Sequence, residues 1–137
     1  MEGCMTLSKF SDYAFRILIL LGNNPDETFT VDSISETLGL SNHHIKKIVY
    51  KLATEGYIDS SKGRNGGLRL GMKPCDINLG KLLKITEDNL NIVECFSKDS
   101  NTCNISSSCK LKGIIGVALN SFMNVFAQYT LADVLDK

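Results

Sequence analysis

Three cysteines, Cys95, Cys103 and Cys109, fall within fifteen residues of a 137-residue chain. Their spacing, C-x7-C-x5-C, departs from the close C-x2-C pairs of structural zinc sites and redox-active dithiols. Thiolates are also the ordinary ligands of iron–sulfur clusters, and a loop can wrap three of them around one cluster. Three cysteines leave one coordination position to another donor. On these residues alone, a cluster and three unrelated thiols both stay open. Cys4 and Cys75 lie apart from the trio and read as ordinary thiols. An odd total of five makes a poor disulfide framework.

A second constellation is basic. The chain has no net charge, which taken alone argues against nucleic acid. Its distribution argues otherwise. Between Ser41 and Pro74 stand Lys46, Lys47, Lys51, Lys62, Arg64, Arg69 and Lys73, against only Glu55 and Asp59, a local balance of seven minus two, or +5. From Cys75 onward six basic residues face seven acidic ones, or −1. A basic patch on a neutral protein still attracts phosphate, because the partner meets the local potential.

The elements that must position these groups follow from caps and periodicity. Ser8 caps a helix over about Lys9–Gly22, with Phe10, Tyr13, Ala14, Ile17, Leu18 and Leu21 at helical spacing. Phe15, Ile19 and Leu20 make it apolar on more than one side, so two packing partners are expected. After a turn at Asn23-Asn24-Pro25-Asp26, Thr30 caps a short helix, Val31–Leu38, which Gly39 ends. Ser41 caps the next helix, which runs to Glu55 and buries Ile45, Ile48, Val49, Leu52 and Ala53. Tyr57–Ser60 and Leu68–Leu70 read as two strands of a hairpin, with Asn65-Gly66 signalling the tight turn between them. A short helix is expected over Leu79–Thr86, a polar loop over Asn89–Ser108, and a last helix over Lys110–Tyr129. In that helix Leu111, Ile115, Ala118, Phe122, Val125 and Tyr129 form a stripe. Ile114, Val117, Met123 and Phe126 widen it, so a partner helix is expected.

The order helix, turn, helix, basic hairpin is that of a winged helix. A recognition helix must bury one face and offer hydrogen-bonding groups to the major groove on the other. Asn42, His43, Lys46, Lys47 and Lys51 meet that demand from the helix. Lys62, Arg64, Asn65 and Arg69 meet it from the wing, where Gly63, Gly66 and Gly67 let the backbone approach closely. His43 and His44 are adjacent and project apart, with no third ligand near them in sequence, so they read as surface or DNA-facing.

Five stretches resemble, in order, the Rrf-type winged-helix regulators: LSKFSDYA from Leu7, SNHHIKKI from Ser41, KGRNGGLRL from Lys62, the cysteine triplet, and YTLAD from Tyr129. The resemblance spans nearly the whole chain and is closest to the family's nitric-oxide-sensitive repressors. It implies a mainly α fold with a small β-hairpin: a winged helix-turn-helix domain over 1–78, then a cluster-binding loop and long dimerisation helix over 79–137. It further implies a homodimer on double-stranded, inverted-repeat operator DNA, nitric oxide as the signal, and no membrane. The implied cofactor is an iron–sulfur cluster, 4Fe–4S in preference to 2Fe–2S. Cys95, Cys103 and Cys109 would hold it with an aspartate from the first helix of the other subunit, which maps onto Asp12. Cluster regulators of the other branch use a histidine three residues after the last cysteine, where this chain has Lys112. The gap between the first two cysteines is longer than the family's commoner one, at small entropic cost. Asp12 also has a plain explanation, since an acid in a first helical turn favours the helix dipole.

A cluster-free regulator, or an iron- or redox-sensing one of the same family, is the alternative. No general base, nucleophile pair or helix-opening glycine loop supports an enzyme. The start MEGCMTLSKF carries no secretion pattern and the longest apolar run, Phe15–Leu21, is too short to cross a bilayer. A cytoplasmic location is expected.

Overall fold

Each of the first three helices begins where a hydroxyl can satisfy a free backbone N–H. α1 (Lys9–Asn23) follows Ser8, whose side chain accepts from the Ser11 N–H. α2 (Val31–Leu38) follows Thr30, which forms a capping box with Ser33. α3 (Asn42–Thr54) follows Ser41, which accepts from the His44 N–H. Such caps contribute about 1 kcal/mol each. Gly39 closes α2 in the left-handed conformation, φ 68°. The computed structural model describes residues 7–61, 66–87 and 110–136. Lys62, Arg64, Asn65, Cys4 and the three clustered cysteines lie outside the described residues.

β1 (Ile58–Ser61) and β2 (Gly67–Leu70) pair antiparallel, with Ile58 opposite Leu70 and Ser61 opposite Gly67. The hairpin expected from the sequence is present, each strand bounded within a residue or so of its expected limits. A third partner was not expected. Phe29 donates to the Leu68 carbonyl at 3.0 Å and accepts from the Leu68 N–H at 2.7 Å. The link between α1 and α2 is thereby stitched to the wing root. The approach is close: a Cβ on Gly67 would lie 2.8 Å from Thr28 Cβ and 3.0 Å from the Phe29 carbonyl oxygen. Only glycine fits there.

A 3-10 turn at Pro74–Asp76 leads into α4 (Leu79–Thr86), whose limits match the expectation. α5 spans Lys110–Ala127, two residues shorter than expected, and a 3-10 turn follows at Leu131–Val134. Asn78 explains why α5 stops. Its Oδ1 accepts from the Lys81 N–H at 3.1 Å, capping α4, while its Nδ2 donates to the Ala127 carbonyl at 2.8 Å. One side chain thus satisfies orphan groups at the ends of two helices. Tyr129 leaves the helix because its carbonyl accepts from the Leu79 N–H at 3.0 Å.

One core joins these pieces. Ala14, Ile17, Leu18 and Leu21 of α1 meet Ile34, Ile45, Ile48 and Leu52 of α2 and α3, and Phe29, Ile58 and Leu68 at the wing root. Ile77, Leu79, Leu82 and Leu131 continue it, so the core runs unbroken across position 78. α1 touches α2, α3, β2 and α4, which accounts for its apolar character on more than one side.

Candidate nucleic-acid interface and cluster ligands

α3 buries Ile45, Ile48, Val49 and Leu52 and leaves Asn42, His43, Lys46, Lys47 and Tyr50 exposed. Burial of one face fixes the other outward, since side chains at i, i+3 and i+4 share a side of the helix. Two of the outward residues are held. Asn42 Nδ2 donates to Asp32 Oδ1 of α2 at 2.6 Å, which orients its amide and ties the two helices at the turn. Lys51 is half-buried, with Nζ 3.5 Å from Glu55 Oε1. His43, Lys46 and Lys47 project into solvent. His44, also exposed, sits with its ring 6.0 Å from that of Tyr13 of α1 and 6.0 Å from that of His43, so the two imidazoles expected to project apart instead lie near one another on the surface. On the wing, Arg69 is exposed and stands directly opposite Asp59 in the ladder. Burial, with Glu55 adding to it, raises the Tyr57 phenol above its usual range at the entry to β1.

Among the described residues, the recognition-helix side chains and Arg69 are accounted for, and Lys62, Arg64 and Asn65 are not. The same holds for the ligand set. Asp12 is described, whereas Cys95, Cys103 and Cys109 are not, and among the described residues no three His, Cys, Asp or Glu side chains gather as a metal site. Asp12 lies in the first turn of α1 and is forked by Arg16 four residues on, with Nε to Oδ1 at 3.0 Å and Nη2 to Oδ2 at 3.1 Å. The Arg16 guanidinium lies 5.8 Å from the Tyr13 ring centre. The carboxylate is 45% exposed, on the outer side of α1. Lys112 is near the start of α5 and half-buried. Cys75 is exposed and free.

A cluster that sequence reasoning missed stands beside Asp12. Ser8 and Ser11 of α1 meet Thr86 and Glu87 at the end of α4. Ser8 was legible as a cap. Nothing local links Ser11 to residues 75 and 76 positions away, so periodicity is blind to the contact.

Residues 7–137 match the family described as Rrf2, iron-dependent transcriptional regulator. The chain is 42% identical over 132 residues to the HTH-type transcriptional regulator NsrR of Bacillus subtilis strain 168, covering 96% of this chain and 90% of that protein. The NsrR of Halalkalibacterium halodurans is likewise 42% identical over 132 residues, with 96% and 90% covered. Among solved structures, T. potens IscR superposes with a TM-score of 0.73 at 22% identity, over 94% of this chain and 85% of that one. The oxidized form of Staphylococcus aureus CymR gives 0.73 at 21% identity, over 97% and 100%. These likenesses show the winged-helix fold. No helix among the described residues is long and apolar enough to cross a membrane. The chain is a transcriptional regulator, not an enzyme, and it belongs to the Rrf2 family of iron-dependent transcriptional regulators.

Proposed function

We propose that the chain is a homodimeric, iron–sulfur-dependent repressor that releases its operator in response to nitric oxide. The observation that carries the reading is α3. It has a buried apolar face and an outward face of Asn42, His43, Lys46 and Lys47, in a chain 42% identical to an NsrR regulator. The sequence resembles the nitric-oxide-sensitive branch over nearly the whole chain, with the cysteine triplet present and its first gap longer than the commoner one.

The donor set fits the group. Cys95, Cys103 and Cys109 supply soft thiolates, and Asp12 offers an accessible carboxylate on the outside of its own subunit, open to a neighbour. In the dimer, the fourth donor to each trio of thiolates is Asp12 of the partner subunit. When bound, the cluster supplies iron that reacts with nitric oxide. The chain's own part is transmission. Asp12 lies one turn into α1, and the next residue, Tyr13, lies against His44 of α3. A change in what holds Asp12 therefore bears on the pose of the recognition helix. Arg16, already at hydrogen-bond distance from both carboxylate oxygens, takes up Asp12 whenever no other partner does. A coupling of about 1–3 kcal/mol would change operator affinity roughly five- to 150-fold.

The DNA contacts divide by type. Asn42 and His43 face base edges, while Lys46, Lys47, Lys51, Lys62, Arg64, Asn65 and Arg69 serve phosphates and the wing's groove. The exposed stripe of α5 supplies the dimer face, so half-sites lie about one helical turn of DNA, or a multiple of it, apart.

The test is anaerobic isolation with iron and sulfide analysis, then operator binding before and after nitric oxide. The expected protein is brown and loses operator affinity on exposure. Cys103→Ala should remove both the visible absorption and the response. A colourless wild-type protein that still binds its operator would favour a cluster-free regulator.

A further inference from the structure

The Glu87 carboxylate gathers three hydrogen-bond donors from the first turn of α1. The Ser8 backbone N–H lies 3.3 and 3.2 Å from its two oxygens, and the Ser8 hydroxyl donates to Oε2 at 3.0 Å. The Ser11 hydroxyl donates to the same Oε2. Ser11 is fully buried, and its Oγ also lies 2.8 Å from Thr86 Oγ1, itself buried. The proton inventory closes with an ionised Glu87. Each serine hydroxyl gives its one proton to the carboxylate, and Thr86 gives its own either to Ser11 Oγ or to the Leu83 carbonyl, 3.3 Å away. A carboxylate at this point also meets the positive end of the α1 dipole.

Glu87 is fixed from its other side as well. Its backbone N–H donates to the Leu83 carbonyl at 2.9 Å, which makes it the last capped residue of α4. It therefore belongs to α4 by its main chain and to α1 by its side chain. The position along the chain gives the contact its meaning. The Asp12 N–H donates to the Ser8 carbonyl at 3.0 Å, so Asp12 is one hydrogen-bonded turn beyond the residue that Glu87 holds. Glu87 also immediately precedes the 88–109 segment that carries all three clustered cysteines. If Glu87 served only as a surface cap, it would not need the buried Ser11 hydroxyl as a partner beside the half-buried Ser8.

We infer that Glu87 is a positioning residue: by clamping the first turn of α1 to the origin of the cysteine-bearing segment, it sets where Asp12 stands and makes α1 respond to what the cysteines hold. This rests on the proposed iron-dependent reading for its functional half, and on the hydrogen bonds alone for its structural half. The clamp is built inside one subunit, while Asp12 serves the partner's cysteines. Each Glu87 thus joins the two metal-binding sets of the dimer through a single helical turn.

The experiment uses the full-length protein, wild type and Glu87→Gln, with Glu87→Ala as the second variant. Gln keeps the volume and one acceptor oxygen, so it weakens the clamp without a cavity, whereas Ala removes both acceptors and is the variant in which the exchange result decides. In metal-free protein, amide exchange at Ser8, Ser11 and Asp12 should accelerate about tenfold while the α3 core amides stay unchanged. In iron-loaded and metal-free pairs, the wild type should show a ratio of operator affinities well above one, and the variants a ratio near one, with their visible absorption retained. Unchanged exchange at Ser8–Asp12 overturns the clamp. So does a wild-type ratio preserved in the variants, even with a lowered melting temperature, since that is what a merely structural contact would do. A wild type whose affinity ignores iron defeats the iron-dependent reading instead, and the exchange measurement then still decides the clamp.

Discussion

Asp12 carries two explanations that differ in what Arg16 does. As a first-turn acid it is sufficiently explained by the helix dipole and by the fork it forms with Arg16 at 3.0 and 3.1 Å. Both side chains are about half exposed, 51% and 45%, and an i, i+4 pair so exposed is worth only about 0.3–0.5 kcal/mol. Arg16→Ala should therefore barely move the melting temperature. As a ligand, Asp12 has Arg16 for a competitor, and removing the competitor should slow the loss of iron to a chelator. Melting curves and chelator kinetics on the same variant separate the two. Unchanged chelator kinetics would leave Asp12 with its dipole role alone. The sequence made Asp12 and its cap legible, because helix starts have a local signature. It said nothing of Asp32 holding Asn42 at 2.6 Å, since that contact joins two helices across a turn.

Among elements, those with local signals were readable. α2 and α4 have the limits that caps and periodicity imply, and α3 differs by a residue at its end. Elements defined by non-local pairing were not. Phe29 bridges to Leu68, and Asn78 bridges to Thr130, each pair too short to show alternation and too distant in sequence to show a turn. The same bridge that escaped notice makes the wing testable. Gly67 stands where a Cβ would meet Thr28 and the Phe29 carbonyl at 2.8 and 3.0 Å, and the Phe29 side is backbone that cannot swing away. Gly67→Ala should cost about 1–3 kcal/mol of stability, as overpacking of a tight contact does. It should also lower operator affinity, because Arg69 lies two residues along the same strand. Equilibrium denaturation and operator titration report the two losses. A variant of unchanged stability would mean that the Phe29–Leu68 bridge does not hold the wing root.

For the whole molecule, the informative residues are apolar ones left in water. α5 seats itself on α4 and α1 through Met123, Phe126 and Ala127: Met123 is buried, Phe126 lies 6.1 Å from Phe15 ring to ring, and a Cβ on Gly80 would meet Ala127 at 2.8 Å. The stripe expected from periodicity is mostly a different face. Leu111, Phe122 and Val125 are exposed, and Ile114 and Val117 are 66% and 67% exposed. Periodicity detects an apolar face without saying what covers it, which is why the sequence implied a partner but could not divide the helix between its own core and that partner. Residues 111, 114, 117, 122 and 125 follow steps of three, with one of five, which keeps them on one side of the helix where a second helix can pack. A monomer gains nothing from leaving five such side chains in water, whereas burying a valine or isoleucine stabilises by about 1.5–3 kcal/mol. Val117→Glu places a charge in the middle of that face without touching Met123 or Phe126. It should give a folded monomer by sedimentation, with an intact helical spectrum. It should also lose operator binding far more than a single half-site contact would explain, because a dimer adds the binding of two recognition helices. A Val117→Glu protein that sediments as a dimer would move the subunit contact off α5, and with it the argument that Asp12 reaches across to the other subunit.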